Sequence, residues 1–150
     1  MNMEQQITYQ DIAKALNIQG NRYEYIISYT IQMIKDYRGN VTDIIKEVPL
    51  NLKKNERYFS MFVLGNSAYP DFSEQDAGEK ERFITNIIGA MKLNKERAES
   101  ISEDIENTII RDTKEGEDIP SIDMIKKIID GNFKDSEKDY ALFILGMTYS

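Results

Sequence analysis

One stretch of this chain occurs twice, and no other feature of the sequence limits its possible folds as much. The segment Asn55-Glu56-Arg57-Tyr58-Phe59-Ser60-Met61-Phe62-Val63-Leu64-Gly65 returns as Ser136-Glu137-Lys138-Asp139-Tyr140-Ala141-Leu142-Phe143-Ile144-Leu145-Gly146, at an offset of 81 residues. Extended backwards, the same offset pairs Ile44 with Ile125, Lys46 with Lys127, Asn51 with Asn132, Leu52 with Phe133 and Lys53 with Lys134, which makes 8 identities in 22 positions. Average residue usage would give about one or two. Further upstream the offset becomes 75, where Ala15, Arg22, Glu24, Ile26 and Ile34 face Ala90, Arg97, Glu99, Ile101 and Ile109. The loop from Thr113 to Pro120, in place of the tighter turn Tyr37-Arg38-Gly39-Asn40, accounts for the change of offset, because surface loops tolerate insertions. The reading is a single domain over 1–150, built from pseudo-repeat one at about 7–69 and pseudo-repeat two at about 80–150.

Apolar spacing and end signals divide each copy into four helices. Those of copy one are predicted at about 8–17, 22–37, 42–49 and 55–67, and those of copy two at about 77–92, 95–112, 122–130 and 136–149. Ile101, Ile105 and Ile109 recur every fourth residue while Glu99, Glu103 and Glu106 fall on other faces, the pattern of a helix with one buried stripe. Asn21, Asn55, Asn94, Ser121 and Ser136 stand where a side-chain oxygen would accept from free amides at helix starts, and Ser136 with Asp139 approximates a capping box. Gly39, Gly116 and Gly131 fall between periodic segments, where positive φ is often needed. No run alternates with period two long enough for a sheet, so the fold class is all-α, a bundle of about eight helices.

The chain contains neither cysteine nor histidine. That excludes disulfides, thiolate chemistry, the usual general base at neutral pH and the commonest zinc ligand. Neither a Ser-His or Cys-His pair nor a glycine-rich phosphate loop is present, so an enzyme is not expected. The N-terminal residues lack a basic start and an apolar stretch, and the run Phe59–Leu64 is far shorter than the roughly 20 residues that cross a bilayer. A cytoplasmic protein without membrane contact is the expectation. The net charge of −7 is uneven: residues 1–57 carry +1, residues 58–118 carry −7 and residues 119–150 carry −1. An acidic middle repels phosphate backbones, which argues against nucleic acid as a partner.

The linker between the copies gathers Asp71, Glu74, Asp76 and Glu79. Hard cations take oxygen ligands from such loops, although an EF-hand would need Gly where Asp76 stands. The alternatives are a solvated connector, with Ser73 or Asp76 capping the next helix, and a weak calcium or magnesium site. No other cofactor is expected. Phe62-Val63-Leu64-Gly65-Asn66-Ser67-Ala68-Tyr69, this acidic loop, and Glu81-Arg82-Phe83-Ile84-Thr85-Asn86-Ile87-Ile88-Gly89-Ala90-Met91-Lys92-Leu93 together resemble the core of TerB-like, tellurite-resistance-associated helical proteins over about residues 58–98. The resemblance implies a duplicated all-helical unit and a metal-linked or stress-linked adaptor, with Asp71, Glu74, Asp76 and Glu79 as ligands. The chain departs from the family in lacking its Asp-Gly step, having Tyr69-Pro70-Asp71-Phe72 there, and no acidic turn follows Gly146.

The segment from Ile7 to Ile18 resembles the first helix of a helix-turn-helix reader. The helix after it is rich in Tyr and Ile and has only Arg22 and Lys35 as bases, so packing is favoured over DNA reading. In that helix Ile26, Ile27, Ile31 and Ile34 form the expected core stripe, with Tyr25 and Tyr29 at its edge as candidate partner contacts or groove lining. The leading expectation is therefore a small acidic protein-interaction module, an adaptor, regulator or inhibitor that binds another protein or itself as a homo-oligomer. The alternatives are a divalent-cation-binding TerB-like stress protein and an inhibitor whose acidic 96–118 stretch imitates nucleic-acid phosphate.

Overall fold

In the computed structural model of the chain, residues 9–47, 52–68, 77–114 and 121–148 are described, with side chains except those of 108–114 and 121–123. All regular structure among them is helical, in eight segments: α1 Tyr9–Ala15, α2 Arg22–Asp36, α3 Val41–Glu47, α4 Lys54–Ala68, α5 Ala77–Ala90, α6 Lys95–Lys114, α7 Ser121–Asp130 and α8 Asp135–Thr148. No helix among them is long and apolar enough to cross a membrane.

Helix ends are closed by chemistry only partly foreseen. Asn94 accepts from the Arg97 amide at 3.0 Å as expected, and Asn40 does the same for Asp43 at 3.3 Å. Asn21 stands before α2 but makes no side-chain capping bond. Asn55 and Ser136 are not caps: they lie inside α4 and α8. Asn55 instead donates to the Leu16 carbonyl at 3.1 Å, near the end of α1. At the starts of α4 and α8 the acceptors are Glu56 and Glu137, which take the amides of Lys53 at 3.1 Å and Lys134 at 2.9 Å. This is the backward-reaching half of a capping box, made by a carboxylate in the first turn.

At the other ends, α1, α2 and α5 close in the same way. The residue after each helix cap adopts positive φ, at Asn17 (60°), Arg38 (54°) and Lys92 (58°). The next amide then reaches back five residues, from Ile18 to Ala13, from Gly39 to Ile34 and from Leu93 to Ile88. These are Schellman closures with a side chain where glycine is usual. Gly39 does adopt positive φ, at 76°. Gly131 does not, and is needed for space: a methyl there would lie 2.7 Å from the Lys127 carbonyl oxygen and 2.8 Å from the Phe133 ring.

The bundle is organised around α4 and α8. Residues Tyr58 to Gly65 and Tyr140 to Gly146 are each buried without a break. A helix apolar on all sides belongs at the centre of a fold rather than at its surface. The contacts Lys54 to Asp135, Arg57 to Asp139, Phe62 to Gly146 and Gly65 to Phe143 advance together along both helices, which therefore run parallel with their starts at one level. Their closest approach is made possible by glycine. A methyl group at Gly65 would overlap the Phe143 carbonyl oxygen, and one at Gly146 would overlap the Phe62 carbonyl oxygen.

The outer helices cross between the halves. α2 packs on α4 and α6 on α8, while α1 packs on α7 and α3 on α5. Apolar residues from both halves thus form one cluster, with Phe59, Phe62, Tyr140 and Phe143 fully enclosed. On α2 the buried positions are Ile26, Thr30 and Met33, whereas Ile27 and Ile34 are only partly covered. Thr30 is tolerated because its hydroxyl is satisfied twice, by the Ile26 carbonyl at 2.8 Å and by Ser60 at 2.7 Å.

Gly65→Ala and Gly146→Ala are each expected to cost about 1–3 kcal/mol, the usual penalty for overpacking a close backbone contact. Gly89→Ala, whose added methyl meets nothing within 4 Å, should instead raise stability by up to about 1 kcal/mol. Urea denaturation of the three variants checks both signs.

Candidate functional site

Two carboxylates tie the second helix of each half to the central pair. Glu56, 6% exposed, accepts from Arg22 Nε at 2.7 Å, and Glu137, 8% exposed, accepts from Arg97 Nε at 3.0 Å. Each also caps its own helix through Oε1; Glu137 offers only its other oxygen to Arg97, whereas Arg22 reaches both oxygens of Glu56, its terminal amino group donating to the capping Oε1 at 3.3 Å. The hydrogen bond from Arg22 holds the Glu56 carboxyl below its usual range against the cost of burial. At Glu137 burial pushes upward, but the Lys134 amide and Arg97 prevail and the carboxyl is again lowered. These clamps are fully engaged within the protein and have a structural role.

A different cluster occupies the head of the α4–α8 pair. Arg57 and Asp139 face each other with side chains only 16% and 12% exposed, and Arg57 Nε bridges both carboxylate oxygens at 3.1 and 2.9 Å. Beside them Asp135 accepts from Tyr58 at 3.2 Å and pairs with Lys54 at 3.1 Å. Burial pushes the Asp139 carboxyl up to about 7 despite the opposing pull of Arg57. The pair was invisible to repeat matching, because Arg57 aligns with Lys138 and Asp139 with Tyr58. The signal that could have found it is that break in symmetry: an acid stands in a buried helix where its counterpart is an aromatic ring.

The structure also opens a groove of about 510 Å³ between α5, α6 and α8. Ile84, Ile88, Ile144 and Met147 supply apolar lining, and Tyr140 and Ser102 lie below it, joined through their hydroxyls at 2.8 Å. Glu81, Glu99, Glu103 and Glu106 stand on its rim and are exposed. None of the four has a cationic partner among the described residues, although Lys80 and Lys95 line the same groove. Burial pushes the Tyr140 phenol up, the Ser102 hydrogen bond opposes it, and the charges of Glu106 and Glu99 add to the rise. In the first half the Tyr9 ring meets Phe59 and Phe62 edge-on at 6.1 and 6.3 Å, and its hydroxyl bonds Asn66 at 2.8 Å. Ile84, 75 residues after Tyr9 in the sequence, lines the groove.

Of the residues expected to bind a partner or metal, only Tyr25, Tyr29 and Glu79 are among those described. Tyr25 is 51% exposed and stacks on the partly buried Tyr29 at 6.1 Å, while the Arg22 guanidinium lies 4.3 Å from its ring centre. This patch is on α2, away from the lining of the acidic groove. Glu79 is exposed in the first turn of α5, whereas Asp71, Glu74 and Asp76 lie outside the described residues, as does the proposed capping by Ser73 or Asp76. Among the described residues no group of three or more acids is placed to hold a metal ion. No family model, curated protein or solved structure matches the chain.

The buried carboxylates set a definite pH response. The folded state keeps a proton on Asp139 from its ordinary value of 3.8 up to about 7, where the unfolded chain has lost it, so stability falls as pH rises through that window. Glu56 and Glu137 act in the opposite sense: both are lowered from 4.5, and their contribution, present above that value, is lost as pH falls below it. Asp139→Asn is expected to flatten the decline toward neutral pH and leave the acid limb unchanged, which denaturant midpoints measured across pH would show.

Proposed function

We propose that this chain is a small helical protein-interaction module whose α5–α6–α8 groove receives one basic amphipathic helix of a partner protein. The observation that carries the reading is the combination of an apolar floor with four rim carboxylates lacking cationic partners among the described residues. An unpaired carboxylate on the edge of an apolar groove is well hydrated and loses little by meeting a lysine, while the floor supplies the apolar area that gives affinity. Helix-in-groove recognition needs both parts, anchors on one face of the ligand and complementary charge beside them.

The same reading treats α1–α4 and α5–α8 as copies of one four-helix unit. The matched pairs Arg22–Glu56 and Arg97–Glu137, and the reciprocal glycines Gly65 and Gly146, support it. On this view the first copy closes its groove with Tyr9, and the second keeps the equivalent groove for a ligand.

A helical peptide with leucines on one face and lysines on the other is the suitable probe, with a control carrying glutamates in place of the lysines. Binding of the basic peptide is expected to shift the methyl resonances of Ile84, Ile88, Ile144 and Met147, and to weaken with added salt. Glu99→Lys together with Glu103→Lys should lower affinity at least ~10-fold, about 1.4 kcal/mol. Equal affinity for the acidic control, or shifts spread over other faces, would remove the proposal.

A further inference from the structure

A second cavity, of about 610 Å³, lies between α3, α4, α5 and α8 and shares no lining residue with the acidic groove. Its charge is of the opposite sign. Lys46, Arg57 and Lys92 face it against the single carboxylate of Asp139, in a chain whose net charge is −7. Lys46 is in the last turn of α3 and Lys92 is the positive-φ residue that closes α5; both are exposed and neither is ion-paired among the described residues.

Arg57 is the informative group. Its Nε is held by Asp139, yet among the described residues its two terminal amino groups have no acceptor, although the side chain is only 16% exposed. A guanidinium presents its remaining N–H donors in a fixed planar fork that matches a carboxylate or phosphate. Leaving such donors unmet at a mostly buried position is costly unless a ligand or solvent takes them. The Ser136 hydroxyl adds a further donor on the same wall. Ile45, Met61, Ala90 and Met91 add apolar lining, and Gly89 leaves the space beyond its Cα open.

We propose that this cavity binds a small organic oxyanion, a carboxylate or phosphate ester carried on an apolar body, with the Arg57 fork on the oxyanion, Lys46 and Lys92 flanking it, and Met61 and Met91 against the body. Asp139 is the positioning residue: by holding Nε it turns the free edge of the guanidinium toward the cavity. Burial that lifts Asp139 to about 7 also means that the one acid beside the ligand is readily neutralised when a second anion arrives.

The test uses the isotope-labelled full chain titrated with phenyl phosphate and benzoate, with inorganic phosphate and benzyl alcohol as comparisons. Phenyl phosphate or benzoate is expected to give saturable shifts at the Gly89, Lys92 and Ser136 amides and at Arg57 Nε–H. Inorganic phosphate should bind more weakly and benzyl alcohol should leave these signals in place. Lys46→Gln with Lys92→Gln, both exposed and so harmless to folding, should weaken binding at least ~5-fold, in line with the strength of charge-assisted contacts. Gly89→Leu should abolish it by filling the cavity with every charge intact. The proposal is overturned if neither organic anion saturates, if benzyl alcohol or inorganic phosphate binds as tightly, or if the Gly89 and lysine variants bind like the parent chain.

Discussion

Everything in this bundle depends on two helices being able to touch backbone to backbone. Where Gly65 meets the Phe143 carbonyl and Gly146 meets the Phe62 carbonyl, no side chain separates α4 from α8. That approach brings Phe59, Phe62, Tyr140 and Phe143 into a single enclosed cluster and determines how far apart the outer helices stand. Parallel neighbours have a cost, because their dipoles point the same way and place two positive helix ends side by side. The acids gathered there, Glu56, Asp135, Glu137 and Asp139, oppose that repulsion while serving as caps, clamps and a buried pair.

Departures from symmetry are where the molecule has room to act. The two Arg–Glu clamps are alike, whereas other positions matched in the sequence differ in what they do. Tyr9 packs on Phe59 and Phe62, whereas Ile84, 75 residues later, lines the acidic groove. Arg57 and Asp139 against Lys138 and Tyr58 place a salt bridge at the head of the central pair, while Lys138 reaches away to the Ile129 carbonyl at 2.7 Å.

Much of the fold was legible in the sequence. All eight helices were expected from periodicity, and the described starts fall within two residues of those expected. Among the positions identical in both segments, Glu56 with Glu137 and Gly65 with Gly146 have specific tasks, although the sequence did not say which. A glutamate three residues after a lysine does not resemble a familiar cap, and a glycine at the end of an apolar run reads as a stop rather than a contact surface. The Schellman closures at Asn17, Arg38 and Lys92 were unreadable for a similar reason, since positive φ is normally sought at glycine. Of the candidate sites, the exposure of Tyr25 and the acidic face of α6 were legible in the helical pattern. The Arg57–Asp139 pair was not, because it joins residues 82 positions apart that no periodicity connects.

The crossing of helices between halves also governs how the chain can fold as it is made. α1 rests on α7, α3 on α5 and α4 on α8, so the first four helices have no complete partner surface of their own. During synthesis at about 5–20 residues per second, roughly 4–16 seconds separate α4 from the helix that covers it. For that interval the side of α4 that meets α8 at Phe62 and Gly65 has no partner helix, although α1, α2 and α3 can already pack on its other sides. A chain built this way keeps apolar surface exposed for longer during synthesis than one whose halves close independently, and such surface is prone to aggregate.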